Sequence, residues 1–282
     1  MTPLELLRAG RLDETLAALQ QEIRKKPGDG KLRVFLFQLL AVLGQWERAL
    51  AQLQVAGELD PAALPMVQTY REALRCEFLR QEIFAGKRAP MIFGDPDYWL
   101  ALLLESLRLS ADGEHGKAQP LRDKAFELAP ATAGSLNGQR FEWIADADAR
   151  LGPVIEAVIN GRYYWVPFHR VRSIRIEDPA DLRDTVWMPA EFRWANGGQV
   201  VGLIPTRYEG TAAAADDALR LARRTEWIEQ GEGAYVGLGQ RMFATDVGEY
   251  ALMDVRSIEL DPISADAGTA EPTTAADEAG RG

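Results

Sequence analysis

The chain has 282 residues, 47% of them hydrophobic, which is enough for a full core and fits two domains of ordinary size. Its formal charge of −10 excludes the dense cationic face that phosphate backbones need, so nucleic acid is not an expected partner. One cysteine, Cys76, and two histidines, His115 and His169, exclude an internal disulfide and are too few for a zinc site. No metal or cofactor is therefore expected, and Cys76 is expected to be buried in a helix and inert. The longest apolar stretches, such as Leu100 to Leu104, fall far short of the roughly 20 residues that cross a bilayer. Arg8, Arg11 and Asp13 interrupt any N-terminal signal pattern, so a soluble, intracellular protein without membrane attachment is expected. The charge is uneven: residues 1–130 carry 17 Lys and Arg against 18 Asp and Glu, the remainder 15 against 24. An acidic partner would accordingly favour the N-terminal half.

The first half repeats itself. Gly10 and Gly44 lie 34 positions apart, as do Pro27 and Pro61. The first unit runs Gly10-Arg11-Leu12-Asp13 through Leu16, Leu19 and Ile23 to Lys26-Pro27; the second runs Gly44-Gln45-Trp46-Glu47 through Ala49 and Leu53 to Asp60-Pro61. A degenerate third copy spans Gly113 to Pro130, with His115, Ala118, Ala125 and Leu128 where the second has Trp46, Ala49, Ala56 and Leu59. Glycine closes one helix because a left-handed backbone costs it nothing, and proline stops the next. Leu12, Leu16, Leu19 and Ile23 share a helix face. Met66 to Phe84 predicts a further long helix with Tyr70, Leu74, Phe78 and Ile83 available for packing. The period, the turn and the closing proline resemble a tetratricopeptide repeat. An ordinary helical bundle is the alternative. Stacked helix pairs leave a concave surface suited to a peptide or helix.

After Pro130 the period shortens. Residues 131–137 are small and polar and read as a linker. Val154 to Ile159, Asn160-Gly161 and Tyr163 to Phe168 predict a hairpin. Arg172 to Glu177 alternates as a half-buried strand does. Phe192 to Trp194, Asn196-Gly197-Gly198 and Val200 to Ile204 predict a second hairpin. Asp216-Asp217 is an N-cap for a helix over Ala218 to Arg224. Strands are expected over Thr225 to Ile228, Leu238 to Ala244 and Glu249 to Met253. Val171 to Ile176 is echoed by Val255 to Leu260, which suggests two related units in a small barrel or sandwich. From Ile263 onward Ala, Thr, Asp, Glu and Gly dominate, which predicts disorder over 263–282. The expected architecture is α+β: a tetratricopeptide-like helical domain over 1–130 and a β-rich domain over 131–262.

Longer blocks carry a more specific resemblance. Leu32 to Leu40, Tyr70 to Glu77, Phe141 to Asp148, Asn160 to Phe168, Trp187 to Ala190 and Ile204 to Tyr208 together resemble the ImpE/TagJ, or SciE-type, family of type VI secretion accessory proteins. The resemblance implies a cytoplasmic, virulence-associated, non-enzymatic adaptor. It also implies binding to a helix of the small sheath subunit, and a connection of sheath handling to the recycling ATPase. It supplies no catalytic residues.

Other chemistry is weighed against plainer readings. Glu142, Asp146 and Asp148, with His169, could serve acid–base or metal chemistry. On a helix, Glu142 and Asp146 would share a face with Asp148 turned away, so a solvated helix face or a cap is expected instead. Gly237-Leu238-Gly239 lacks the third glycine and following helix of a dinucleotide loop, so a turn or strand kink is expected. His115 stands where the repeat has a packing Trp. Trp143, Trp165, Trp187 and Trp194 are expected to fill the β core and its contact with the helices, with one or two exposed as anchors. Helix-in-groove binding on the concave face would use Arg33, Phe37, Tyr70, Arg71 and Arg75. A generic scaffold for other proteins is the alternative function, and an enzyme built on the carboxylates and His169 is a further one.

Overall fold

The computed structural model describes residues 1–231 and 233–262; the tail expected to be disordered, 263–282, lies outside them. The chain begins with α1 (Pro3–Arg8), α2 (Leu12–Lys25), α3 (Gly30–Val42), α4 (Trp46–Leu59) and α5 (Leu64–Phe84). A short strand, β1 (Met91–Ile92), precedes α6 (Tyr98–Ala111) and α7 (His115–Leu128). The repeat punctuation acts as its chemistry requires. Gly10, Gly44 and Gly113 take φ of +73°, +67° and +79°. At each turn the next residue's N–H donates five positions back: Arg11 to Leu6 (3.0 Å), Gln45 to Leu40 (2.9 Å) and Glu114 to Leu109 (2.8 Å). This closure satisfies carbonyls that the helix end leaves free. The helices that follow, α2, α4 and α7, have 14 residues each and stop two positions before Pro27, Pro61 and Pro130. Gly86, at φ +71°, closes α5 in the same way outside the spacing.

The strands are β2 (Gly134–Leu136), β3 (Gln139–Phe141), β4 (Ile144–Asp146), β5 (Val154–Ile159), β6 (Arg162–Pro167), β7 (Val171–Ile176), β8 (Trp187–Trp194) and β9 (Gln199–Pro205). After a short helix, α8 (Asp217–Arg220), come β10 (Thr225–Glu229), β11 (Tyr235–Gly239), β12 (Met242–Thr245), β13 (Glu249–Ala251) and β14 (Ser257–Leu260). Nine strands form one sheet in the order β1-β6-β5-β9-β8-β7-β14-β2-β3. Strands β13, β12 and β4 form a small second sheet, and β10 and β11 form a separate ribbon. Asn160 and Gly161, at φ +50° and +72°, make the expected hairpin turn. The echoed segments are neighbours: β7 and β14 pair antiparallel, with Ile174 opposite Ile258.

Three expected elements are cut short. The helix after Asp216 ends at Arg220, because Ala222 turns left-handed at φ +54°. The strand expected over 238–244 breaks between Gly239 and Met242, where Arg241 turns into the interior. The last expected strand stops at Ala251 and passes into a helical turn.

Strand β5 is buried along its whole length because the nine-stranded sheet is covered on both faces. Val154 and Val158 join Phe37, Leu74 and Ile83 in a core shared with the helices. Ile155, Ala157 and Ile159 face the small sheet, in a core with Phe168, Phe192 and Phe243. The β-rich part is therefore sandwich-like, with the helices as a third layer. Strand β1 ties the helical half into the sheet directly by pairing parallel with β6, Met91 beside Tyr164.

The turn glycines separate two costs. A Cβ on Gly113 would meet nothing within 4 Å, whereas one on Gly44 would lie 2.5 Å from the Ala212 methyl. Gly113→Ala is expected to cost about 1 kcal/mol through the left-handed backbone alone, and Gly44→Ala distinctly more. Urea unfolding of the two variants measures this, and equal losses would contradict the contact.

Candidate functional site

The helices and the sheet meet across a buried ionic seam. Glu156, in the middle of β5, is fully buried on the helical face. Arg80 of α5 donates Nε to Glu156 Oε1 at 2.5 Å and Nη2 to Oε2 at 3.0 Å. It also donates to the Arg207 carbonyl at 2.9 Å. Arg241 reaches Glu156 from the other side, pairs with Asp146, and donates Nε to the Pro205 carbonyl at 2.8 Å. The Tyr163 hydroxyl donates to Glu156 and accepts from Trp165 Nε1 at 2.9 Å. One turn before Arg80, Glu77 accepts from Trp187 Nε1 at 2.9 Å. An aromatic line crosses the same boundary, with Tyr70 5.9 Å from Phe37 and 5.8 Å from Trp187 between ring centroids.

The connection from Thr206 to Arg224 then braces the repeat turns. Arg207 donates to the carbonyls of Val42 (2.8 Å) and Ala41 (3.3 Å) at the end of α3. Arg223 donates to those of Leu7 (3.1 Å) and Arg8 (3.2 Å) at the end of α1. Asp217 accepts from the Leu12 N–H at 2.9 Å, where α2 begins. Cations thus sit at helix C-termini and an anion at an N-terminus, as the helix dipole favours.

This geometry redistributes the residues that spacing singles out. Phe37 and Tyr70 are buried by the sheet, so the concave face expected to be open there is largely filled by the chain itself. Arg33 is half-buried and bonds the Pro27 carbonyl and Gln52, linking the two repeats. Arg71 and the exposed Arg75 both pair with Glu72. Asp146 and Asp148 lie at the end of a strand and in the loop beyond it, not on a solvated helix face. Both are buried: Asp146 meets Arg241, while Asp148 accepts from Arg150 and from the Gly237 N–H at 2.9 Å. Asp146 Oδ1 accepts from the Asp148 N–H at 2.9 Å, so these two share surroundings, but Glu142 is exposed and His169 faces Asp97 at 3.4 Å, so no one pocket gathers all four. Among the described residues, no group of three or more His, Cys, Asp or Glu is arranged to hold a metal ion. Gly237 lies in β11 against the Tyr208 ring, and Gly239 ends that strand at φ +93°. Cys76 is buried on α5, and burial pushes its thiol up to about 12. Phe78 points outward, while Trp165, Trp187 and Trp194 are buried and Trp143 is exposed. Nothing in local spacing singles out Arg80, Glu156, Arg207 or Arg241. Glu156 alone carries a local sequence signal, an isolated charge in the apolar run Val154 to Ile159.

What stays open is a groove along the seam. A cleft of about 870 Å³ between Tyr70, Arg183, Met188 and Val201 adjoins one of about 460 Å³ at Leu4, Phe35 and Leu182, and they share Ala180 and Asp181. Val201 continues into a third cleft beside Gln68, Thr69 and Glu72. Leu4 and Val201 are 49% and 70% exposed, so the groove has an apolar lip. The Arg183 guanidinium lies 4.7 Å over the Tyr70 ring at its centre.

These features define the class: a tetratricopeptide-like helical array fused to a β-sandwich. Residues 138–259 match the model of the ImpE protein family, and residues 6–74 match a tetratricopeptide repeat model. The type VI secretion system accessory component TagJ of Pseudomonas aeruginosa is 54% identical over 261 residues, 93% of this chain and 92% of that protein. A crystal structure of a Vibrio parahaemolyticus protein superposes with a TM-score of 0.84 at 26% identity, covering 92% of this chain and 97% of that one. The chain belongs to the ImpE/TagJ family of type VI secretion accessory proteins.

The seam sets opposing pH dependences. Burial alone would raise the Glu156 carboxyl, but Arg80 and Arg241 outweigh it and hold it down to about 2. Asp146 has one arginine and a neighbouring aspartate, so burial prevails and lifts it to about 7. A depressed carboxyl contributes stability that is present above its unfolded value of 4.5 and lost as pH falls toward 2. A raised one does the reverse: its contribution is full below 3.8 and lost as pH rises through 7. Glu156→Gln is expected to cost about 3–5 kcal/mol at neutral pH by stranding buried guanidiniums, and to flatten the acid limb. Asp146→Asn is expected to flatten the slope between its unfolded value and neutrality instead. Unfolding free energies measured across pH test both, and unchanged profiles would contradict the assignments.

Proposed function

We propose that this chain is a cytoplasmic, non-enzymatic adaptor of a type VI secretion system that takes a helix of the small sheath subunit into the seam groove. The observation that carries the reading is the apolar-lipped groove beside Tyr70, in a chain whose family consists of accessory proteins. An amphipathic helix would lay its apolar stripe on Val201, Leu4 and the edge of Tyr70, the helix-in-groove mode of recognition. Phe37 supports the Tyr70 ring from behind. Arg71 and Arg75, beside Glu72 on the neighbouring cleft, would meet acidic groups of that helix. Arg33 would act at one remove, by fixing the relation of the repeats. The recycling ATPase is a second proposed partner, engaged while the sheath subunit is held.

Calorimetric titration of purified small sheath subunit into the protein tests this. Binding is expected for the unaltered chain and is expected to weaken roughly tenfold or more for Val201→Glu and for Leu4→Glu. Arg75→Glu should weaken it less. Failure of the unaltered chain to bind, or indifference to both groove substitutions, would sink the proposal.

A further inference from the structure

A second cleft, of about 470 Å³, opens where the end of α7 meets β4 and the β10–β11 ribbon. Its walls are three aromatic side chains left far from buried: Phe126 at 38%, Trp143 at 40% and Tyr235 at 47% exposure. Its floor is made of small residues, chiefly Ala145, Ala147 and Gly152. Phe126 lies against Gly152 so closely that a Cβ there would come within 2.4 Å of the ring. Large walls over a small floor leave room for one bulky side chain. Exposed Trp and Tyr in such a setting are the usual anchors of protein interfaces.

Among the described residues, the exposed charges beside it that have no ion-pair partner are acidic. Asp146 and Asp148 lie under the floor, but their oxygens are held by Arg241, Arg150 and the Gly237 N–H. Exposed carboxylates flank the lining: Glu142 precedes Trp143 and Glu229 stands directly across the ribbon from Tyr235, while Glu127, after Phe126, is paired with Lys124. The Asp246 carboxylate accepts from the Glu142 N–H at 2.8 Å. Of the nearby cations, Lys124 is held by Glu127 at 2.8 Å, and Arg140 is held by Asp261. The rim therefore repels phosphate and acidic groups and attracts cations, which can also stack on Trp143 and Tyr235.

We propose that this cleft is a second docking site, for a protein segment carrying a large apolar side chain flanked by lysine or arginine. The apolar side chain fills the socket between Phe126, Trp143 and Tyr235, and the flanking cations meet Glu142, Glu229 and Asp246. The site is separate from the seam groove and does not depend on the sheath proposal.

Selection of a random peptide library displayed on phage against the full chain tests this, followed by titration of synthetic peptides of the enriched sequences. The enriched peptides are expected to combine Trp, Phe or Leu with Lys or Arg, and to weaken as salt rises. Affinity should fall roughly tenfold or more for Trp143→Ala and for Tyr235→Ser, two exposed positions, and should also fall for Glu142→Lys. Val201→Glu, in the other groove, should leave it unchanged. No enrichment, enrichment of acidic peptides, or equal affinity for the Trp143 and Tyr235 variants would overturn the proposal.

Discussion

A carboxylate removed from water has to be neutralised by its immediate neighbours, and Glu156 is neutralised by two guanidiniums from distant parts of the chain. Arg80 comes from the helical half and Arg241 from the β half. Taking either away leaves charge stranded in the interior, which costs several kcal/mol. The three groups and their hydrogen bonds to Tyr163, Pro205 and Arg207 therefore bind helices and sheet into one unit. Apolar packing alone would tolerate sliding between the layers; the directional bonds at Glu156 fix a single alignment.

That alignment decides what the helical array can offer. An array of helix pairs usually binds partners along its concave face. Here the sheet occupies that face with Trp187, Trp165 and Tyr163, and the connection carrying Arg207 and Arg223 fastens the ends of α3 and α1. Space remains along the seam, where Val201 and Leu4 stand out, and at the aromatic cleft beyond α7. Both openings are lined jointly by helical and β residues. A partner at either proposed site would read the relation between the two halves.

Much of this fold is legible locally. Gly10, Gly44 and Gly113 announce their turns because a left-handed backbone is a property of the residue itself, and Asn160-Gly161 announces its hairpin for the same reason. The seam is not legible in that way, since Arg80, Glu156 and Arg241 are far apart in sequence and only the sheet order brings them together. Asp146 shows how spacing misleads. Its distance from Glu142 suits a helix face, yet pairing of β4 with β12 makes it part of a strand and buries it. The blocks that resemble the family contain Tyr70, Glu77, Asp146, Tyr163, Trp165, Trp187 and Arg207. These residues surround the seam, but its central three, Arg80, Glu156 and Arg241, lie outside the blocks, as do Val201 and Leu4 on the groove lip.

The dependence of the two halves on each other can be measured directly by denaturant unfolding followed with two probes. Far-ultraviolet dichroism reports chiefly the helical half, and tryptophan fluorescence is weighted toward the β half, which holds Trp143, Trp165, Trp187, Trp194 and Trp227. If the seam joins the halves into one unit, the two signals follow a single coincident transition. Two separated transitions, with helices lost at a different denaturant concentration from the tryptophan environment, would contradict it.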